Sequence, residues 1–486
     1  SNRMQNRKSV KKNFIFNTVL TAATILVPLV TFPYISRVLL VEANGRVDFA
    51  NSITTYFIMF SALGIPTYGI RACAKVRDDR EALSRTAQEL FIINMAMTGL
   101  MYLVFLLCLF TIPRLRQEKM LMAIFGCNLL LNPFGLNWLY SALEEYKYIT
   151  IRSLCIKAIS VVCIFTLLHS PEDYLKYAAI LVFSNIGSCF FNWFNARKFI
   201  NRKYIGKYEI KKHIKPILIF FATTAAVSIY SNLDMVMLGF ISGNKEVGYY
   251  SAALKIRTAL ATVAVSLGTV LLPRLSYLAQ NGILEEFRKN IKRSFEFMFL
   301  ISIPLSIYFI VYARPTVFII AGRAYEAAIL PTQLLLPTVF FAGLSNVTGT
   351  QTLIPLGKED KLLISILLGA VTDIILNLLL IQKLGSSGAA FATMITEIVV
   401  LSVQCIFIRQ MLAEIKVIRY CVRPLAASGT AVILSGFCAG GIRGDMKEII
   451  VSAAVFFLVY AAVLLFSREE MVMELLKELK QNISNK

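Results

Sequence analysis

Four basic residues stand inside runs that are otherwise almost wholly apolar: Arg37, Lys157, Lys255 and Arg257. A bare charge deep in hydrocarbon costs at least about 2.5 kcal/mol, so each is expected to face water, a partner or a ligand. Lys and Arg placed there can hold a phosphate or carboxylate through charge-assisted hydrogen bonds. For Arg37, a few residues from the end of its run, the plain alternative is snorkelling to the headgroups. For Lys157 and Lys255 it is pairing with an intramembrane acid. The acids available are Asp234, Asp373 and Glu397, candidates for ion coupling or for charge pairing. Cations outnumber acids, which favours an anionic solute.

Little else in the chain could do chemistry. There is no Walker motif, so ATP is not the direct energy source. Nine scattered cysteines form no CxxC pattern, and only His169 and His213 are present, so neither a disulfide framework nor a metal site is expected. No cofactor is expected. The connections between apolar runs are short, the outer ones tiny, and no cluster of acids or His suits an enzyme such as a glycosyltransferase or polymerase.

These charges must be positioned by membrane helices. With 57% hydrophobic and 16% charged residues over 486 positions, the chain has too little polar surface for a soluble protein of its length. Fourteen apolar runs, from Phe14–Leu39 and Asp48–Ile70 to Tyr420–Phe437 and Glu448–Phe466, are each long enough for a core of roughly 30 Å. The fold class is an all-α polytopic membrane protein of about 14 transmembrane helices. With residues near span ends assigned to the adjoining connection, 35 of the 50 Lys and Arg fall on the side of both termini and 11 on the other. That bias places both ends in the cytoplasm. It also accounts for the net charge of +21 as a topology signal, with no nucleic acid implied. The first run is too long for a signal-peptide core and has no cleavage motif, so it is expected to be retained.

Pro28 and Pro33 remove two backbone donors from the first span and are expected to break or bend it, a candidate gating element. Further breaks are expected at Pro66, Pro133, Pro304 and Pro337. Three segments read as interfacial amphipathic helices: "REALSRTAQEL", "ILEEFRKNIKRSFEF" and "MVMELLKELKQ".

An internal repeat organises the chain. "YISRVLLVEANGRVDFANS" from Tyr34 aligns with "DMVMLGFISGNKEVGYYSA" from Asp234 at an offset of 200, matching Asn44 with Asn244 and Val47 with Val247. Six spans separate the copies, so the repeat is parallel, about an axis along the membrane normal. The expected organisation is a cytoplasmic tail (1–13), an N-lobe of six helices (14–197), a basic cytoplasmic linker (198–215), a C-lobe of six helices (216–410), two further spans (411–467) and a cytoplasmic amphipathic helix (468–486). A cavity between two such lobes is where a solute would sit, and Arg37, Lys157, Lys255 and Arg257 are expected to line it.

The stretches "FPYISRVL", "YGIRACAKVRDDREALS", "EEYKYITIRSLCIKAIS" and "LDMVMLGF…EVGYYSAALKI" resemble Wzx-type polysaccharide flippases of the multidrug/oligosaccharidyl-lipid/polysaccharide exporter (MOP) superfamily. The matching positions are Arg37, Arg71 and Lys75, Lys157, and Asp234 and Lys255; the resemblance adds Arg71 to the substrate-binding set. It implies two six-helix lobes plus two C-terminal helices in the bacterial inner membrane. It further implies translocation of undecaprenyl-pyrophosphate-linked oligosaccharide repeat units by alternating access. The partners expected on that basis are the polyprenyl-pyrophosphate-linked oligosaccharide, membrane lipids, and a polysaccharide polymerase and glycosyltransferases, with the chain a monomer. Where the family usually has Gly and Pro after "SRVL", this chain has Leu40 and Val41; Arg46 and Asp48 also depart from the pattern. Spans thirteen and fourteen lie outside the repeat and are expected to pack on the side of one lobe, leaving an apolar groove open to lipid. The alternatives are a flippase for another polyprenyl-linked precursor (teichoic acid or peptidoglycan) and a cation-coupled drug exporter of the same superfamily.

Overall fold

A computed structural model describes residues 2–201, 203, 206–442, 444–468 and 471–473. The described residues are helical, with no strand. The helices are α1 (Asn2–Ala62), α2 (Ile65–Lys75), α3 (Arg80–Thr111), α4 (Pro113–Gln117), α5 (Lys119–Leu131), α6 (Asn137–Ala142), α7 (Tyr146–Leu167), α8 (Tyr174–Ile186), α9 (Cys189–Asn195), α10 (Lys211–Ile241), α11 (Asn244–Gln280), α12 (Leu284–Val311), α13 (Ala313–Ile320), α14 (Ile329–Leu335), α15 (Pro337–Ser345), α16 (Glu359–Phe407), α17 (Arg409–Ile415), α18 (Val422–Ala439) and α19 (Asp445–Phe466). Among the described residues, 11 segments are long and apolar enough to cross a membrane. Two of these, of 58 and 49 residues, are each far longer than one crossing needs and are interrupted inside, at Leu40 and at Gly385. Counting each as two spans and adding the 37-residue α11 is consistent with fourteen.

The interruption in α1 is not at its prolines. Pro28 and Pro33 both lie within helical backbone, and the non-helical residue is Leu40, with φ 61° and ψ −176°. Proline is accommodated because abandoning the helix in hydrocarbon would strand more carbonyls than the two whose donors are lost. Leu40 ends the first span one residue after the expected boundary, in a backbone region that glycine alone adopts freely. It is also the position where the resemblance noted in the sequence implies Gly. Its side chain is exposed, so little packing would be lost on removing it. Leu40→Gly is therefore expected to stabilise the protein by about 1 kcal/mol, read as a higher melting temperature of the detergent-solubilised chain.

Other breaks follow the sequence more closely. Leu63, with φ 50°, and Gly64 precede Pro66, which occupies the first turn of α2. The fourth span breaks through a 3-10 turn, Asn132–Gly135, and the tenth at Pro337, followed by a π-helix over Asn346–Leu353. Pro304 lies within continuous α12. Two of the three expected interfacial helices are not separate elements. "REALSRTAQEL" forms the first turns of α3 and "ILEEFRKNIKRSFEF" those of α12, because no breaker separates them from the apolar run that follows. The third, together with the helix expected over 468–486, lies almost entirely outside the described residues.

Contacts divide the chain into Ser1–Gly248 and Tyr249–Lys486. The division falls one helix beyond the 198–215 connection, because α10 packs along the second half of α1. Ser52 meets Met235, Tyr56 donates to the Ser228 carbonyl at 3.2 Å, and Phe60 packs on Phe221. In the first unit, α1 and α7 run parallel. Thr150 Oγ1 donates to the Phe16 carbonyl at 3.0 Å and the Tyr34 hydroxyl to the Leu168 carbonyl at 2.6 Å. The connection after residue 198 is fastened to α3. Gln88 donates to the carbonyls of Asn201 and Lys203, Tyr208 donates to Gln88, and the Asn201 N–H donates to Ser84.

In the second unit, α16 is a hairpin. Gln404 meets Ser365 at 3.1 Å and Thr396 meets Asp373 at 3.3 Å. Both pairs centre on residues 384–385, where Gly385 has φ 54°. The α18–α19 pair covers the flank of α12 and α13: Tyr308 bonds Ser452, Tyr312 donates to Ser435, and Tyr460 donates to the Leu300 carbonyl.

Candidate functional site

Arg37 sits one turn past Tyr34 on α1, exposed, with Nη1 donating to the carbonyl of Pro33 at 2.6 Å. Lys157 is half-buried on α7. The two α1–α7 contacts share one register, 134 residues apart. Lys157 is thus level with residue 23 of α1, and at about 1.5 Å per residue it stands roughly 21 Å below Arg37 along the axis. A single phosphate group cannot touch both. Asp234 is buried on α10, level with Ser52 on the facing half of α1.

In the second unit Arg257 is committed within the protein. Its Nη2 donates to Glu397 Oε1 at 3.0 Å and its Nε to Thr338 Oγ1 at 2.9 Å, and Glu397 is only 5% exposed. Glu397 is thus ion-paired with Arg257. Lys255 lies two residues earlier on α11. At 100° per residue it projects from nearly the opposite side of the helix, and it is half-buried. Asp373 is buried and accepts from Asn377 at 3.0 Å as well as from Thr396. Thr348, Gln404 and Ser365 form a further set of buried polar contacts, between the π-helix and both arms of α16. Such contacts between membrane helices replace exposure to hydrocarbon with a specific partner.

Two clusters were not foreseen in the sequence. The first joins Arg46 to Glu118 through both carboxylate oxygens, at 2.9 and 3.1 Å, with Arg114 donating to Asn244 and to the Gly239 carbonyl. Arg46 also lies 4.3 Å from the Tyr174 ring centroid. The second joins Glu89 and His213, both buried. His213 Nε2 is 2.7 Å from Glu89 Oε2, and Nδ1 is 2.8 Å from the Tyr68 hydroxyl. An Nε2–H donated to the carboxylate leaves Nδ1 to accept from the phenol. The signals available were a charge beside a span end in each case, and a histidine at the start of an apolar run.

An apolar groove of about 860 Å³ runs between α12, α15, the second arm of α16 and the start of α18. Phe299, Ile303, Phe340, Phe341 and Leu425 line it, and Lys416 and Arg419 stand where the turn before α18 borders it. The α18–α19 pair lies on the side of the second unit, as expected.

A many-span helical chain with buried polar contacts, intramembrane cations and an apolar groove has an architecture suited to membrane transport. A family profile described as polysaccharide biosynthesis protein matches residues 10–279, more than half of the chain, and the chain belongs to that family. It is 25% identical over 415 residues to an Escherichia coli (strain K12) protein named "Putative O-antigen transporter", covering 83% of this chain and 98% of that one. A Shigella dysenteriae protein of the same name is 23% identical over 404 residues, covering 80% of this chain and 98% of that one. Among solved structures, lipid II flippase MurJ in an inward closed conformation superposes with a TM-score of 0.75 at 14% identity, over 94% of this chain and 100% of that one. An inward-facing multidrug resistance MATE family transporter of the MOP superfamily gives 0.62 at 13% identity, over 81% and 99%. The fold is therefore that of the MOP superfamily, in agreement with the motif resemblance, and the relatives are transporters and flippases rather than enzymes.

Proposed function

We propose that the chain flips undecaprenyl-pyrophosphate-linked oligosaccharide repeat units from the cytoplasmic to the outer leaflet of a bacterial inner membrane, by alternating access, for O-antigen or capsule synthesis. Both termini are cytoplasmic in this reading. Membership of the polysaccharide biosynthesis family carries it. The apolar groove supports it, because a polyprenyl tail needs a long hydrocarbon-lined berth while its head crosses. The basic intramembrane residues support it because a pyrophosphate head is multiply anionic. Arg37 and Lys157, at different depths, meet that head in succession, and Lys255 meets it from α11. Arg257 holds Glu397 and so shapes the site without adding a free charge to it. A polysaccharide polymerase and glycosyltransferases are the expected neighbours in the pathway.

The test is complementation of a strain lacking its own O-antigen flippase, scored by surface polysaccharide and by lipid-linked oligosaccharide accumulating on the cytoplasmic side. The wild-type chain is expected to restore the polymer. Arg37→Ala and Lys255→Ala are expected to reduce it at least tenfold at unchanged protein level. Arg37→Lys should retain part of it, since a point cation still meets phosphate after bidentate geometry is lost. Drug resistance without polysaccharide, or a silent Lys255→Ala, would reject this reading.

A further inference from the structure

A second cationic site lies apart from Arg37, Lys157, Lys255 and Arg257, and it contains Arg71, which the resemblance alone had added to the substrate-binding set. Between α2, the start of α3 and the start of α10 is a pocket of about 460 Å³, within the size range of small-molecule sites. Arg71 and Lys75 line it from α2, Lys212 from α10, and Tyr68 and His213 complete the polar wall.

The charges are arranged for an anion. Arg71 and Lys75 are one helical turn apart, so their like charges repel. Both are exposed, and neither has an ion-pair or hydrogen-bond partner among the described residues. Lys212 is held by its neighbours: its ammonium lies 3.3 Å from Glu89 and 3.1 Å from Glu209. Glu89 is fully buried, and its other contacts are the Glu209 N–H at 2.7 Å and His213. The acid therefore sits behind the wall and fixes Lys212 and His213, while the unneutralised cations face the pocket. A phosphate or pyrophosphate entering would relieve the repulsion on α2 and accept hydrogen bonds from a planar guanidinium and two ammonium groups.

We infer that this pocket binds a phosphate or pyrophosphate group through Arg71, Lys75 and Lys212, with Glu89 and His213 as positioning residues. Its place at the start of α10, beside the basic connection, is on the side assigned above to the cytoplasm. It is the site that receives the lipid-borne pyrophosphate before translocation, a role that rests on the flippase reading. The anion site itself rests only on the pocket.

The experiment uses the purified full chain in detergent, titrated calorimetrically with inorganic pyrophosphate and, in competition, with farnesyl pyrophosphate. Saturable pyrophosphate binding is expected. It should weaken at least tenfold in Arg71→Gln/Lys75→Gln and be unchanged in Lys211→Gln, a neighbouring lysine outside the pocket. The exposed positions of Arg71 and Lys75 make an unchanged melting temperature the expected control. Displacement by farnesyl pyrophosphate supports the lipid-borne source. Pyrophosphate binding that farnesyl pyrophosphate does not displace overturns the receiving role. A smaller loss in the double variant, or equal loss in Lys211→Gln, overturns the site and points to general attraction of anions to a basic surface. A chain that fails complementation yet binds here contradicts the transport reading alone. One that complements without this binding contradicts the site alone.

Discussion

Arg257→Ala is expected to leave far less folded protein in the membrane than any other single truncation of an intramembrane cation. The variant strips Glu397 of the guanidinium that pairs with it at a position only 5% exposed, and Thr338 of a donor at 2.9 Å. A carboxylate left behind in that environment must stay charged without its guanidinium or take up a proton, and breaking a buried pair in this way costs about 3–5 kcal/mol. Set against typical stabilities of about 5–15 kcal/mol, that is a large share of the total. The measurement is the melting temperature and monodisperse yield of the solubilised chain. Changing both partners together, Arg257→Met with Glu397→Leu, should recover most of the loss, because no isolated charge then remains. The double variant also separates structure from transport. If Arg257 only shapes the site, the double variant regains polysaccharide export along with stability. Full stability in Arg257→Ala, with export lost, would return Arg257 to the set of substrate-binding cations.

That pairing shows where the sequence was informative and where it stopped. Spans could be drawn because an apolar run of a bilayer's length seldom occurs outside a membrane helix. The hairpin of α16 is visible as two such runs around Gly385, and the lateral packing of α18 and α19 follows from their lying outside the repeat. The presence of acids that could pair with intramembrane cations was legible too. Which acid meets which cation was not, because pairing depends on the rotation and register of one helix against another. Arg37 and Lys157 illustrate the same limit. Each run gives the depth of its own residue only to within a few positions, and their separation of roughly 21 Å emerges from the Phe16–Thr150 and Tyr34–Leu168 contacts at about 1.5 Å per residue. Pro28 and Pro33 do not mark the interruption of α1, for a physical reason. A proline's missing donor is a local defect, whereas the non-helical residue is Leu40, whose side chain gives no such signal. Glu89 and His213 lie more than a hundred residues apart at the ends of two spans, and nothing in either segment names the other.

Gly45→Val is expected to be the most damaging of the small-residue changes. Asn44 and Asn244 are equivalent positions of the sequence repeat, and the structure brings these two stretches into backbone contact. A Cβ built on Gly45 would fall on the carbonyl oxygen of Asn244, and one on Gly248 would fall on the carbonyl of Val41. Each glycine thus follows by four residues the carbonyl that the other approaches, on α1 and on the first turn of α11. Small residues at such crossings let two helix backbones touch. Any side chain at Gly45 must push main chain away, with no flexible tip to yield. The displacement would also pull Asn244 from Arg114, 2.5 Å away, and disturb Glu118, which is 5% exposed and held by Arg46 at 2.9 Å. Overpacking of this kind costs about 1–3 kcal/mol before the buried carboxylate is counted. The expected result is a clear fall in melting temperature for Gly45→Ala and a larger one for Gly45→Val. Gly99→Ala is the control: a Cβ there meets nothing within 4 Å, so no loss is expected. Wild-type melting in Gly45→Val would mean that the two helices do not meet through Gly45 in the folded protein.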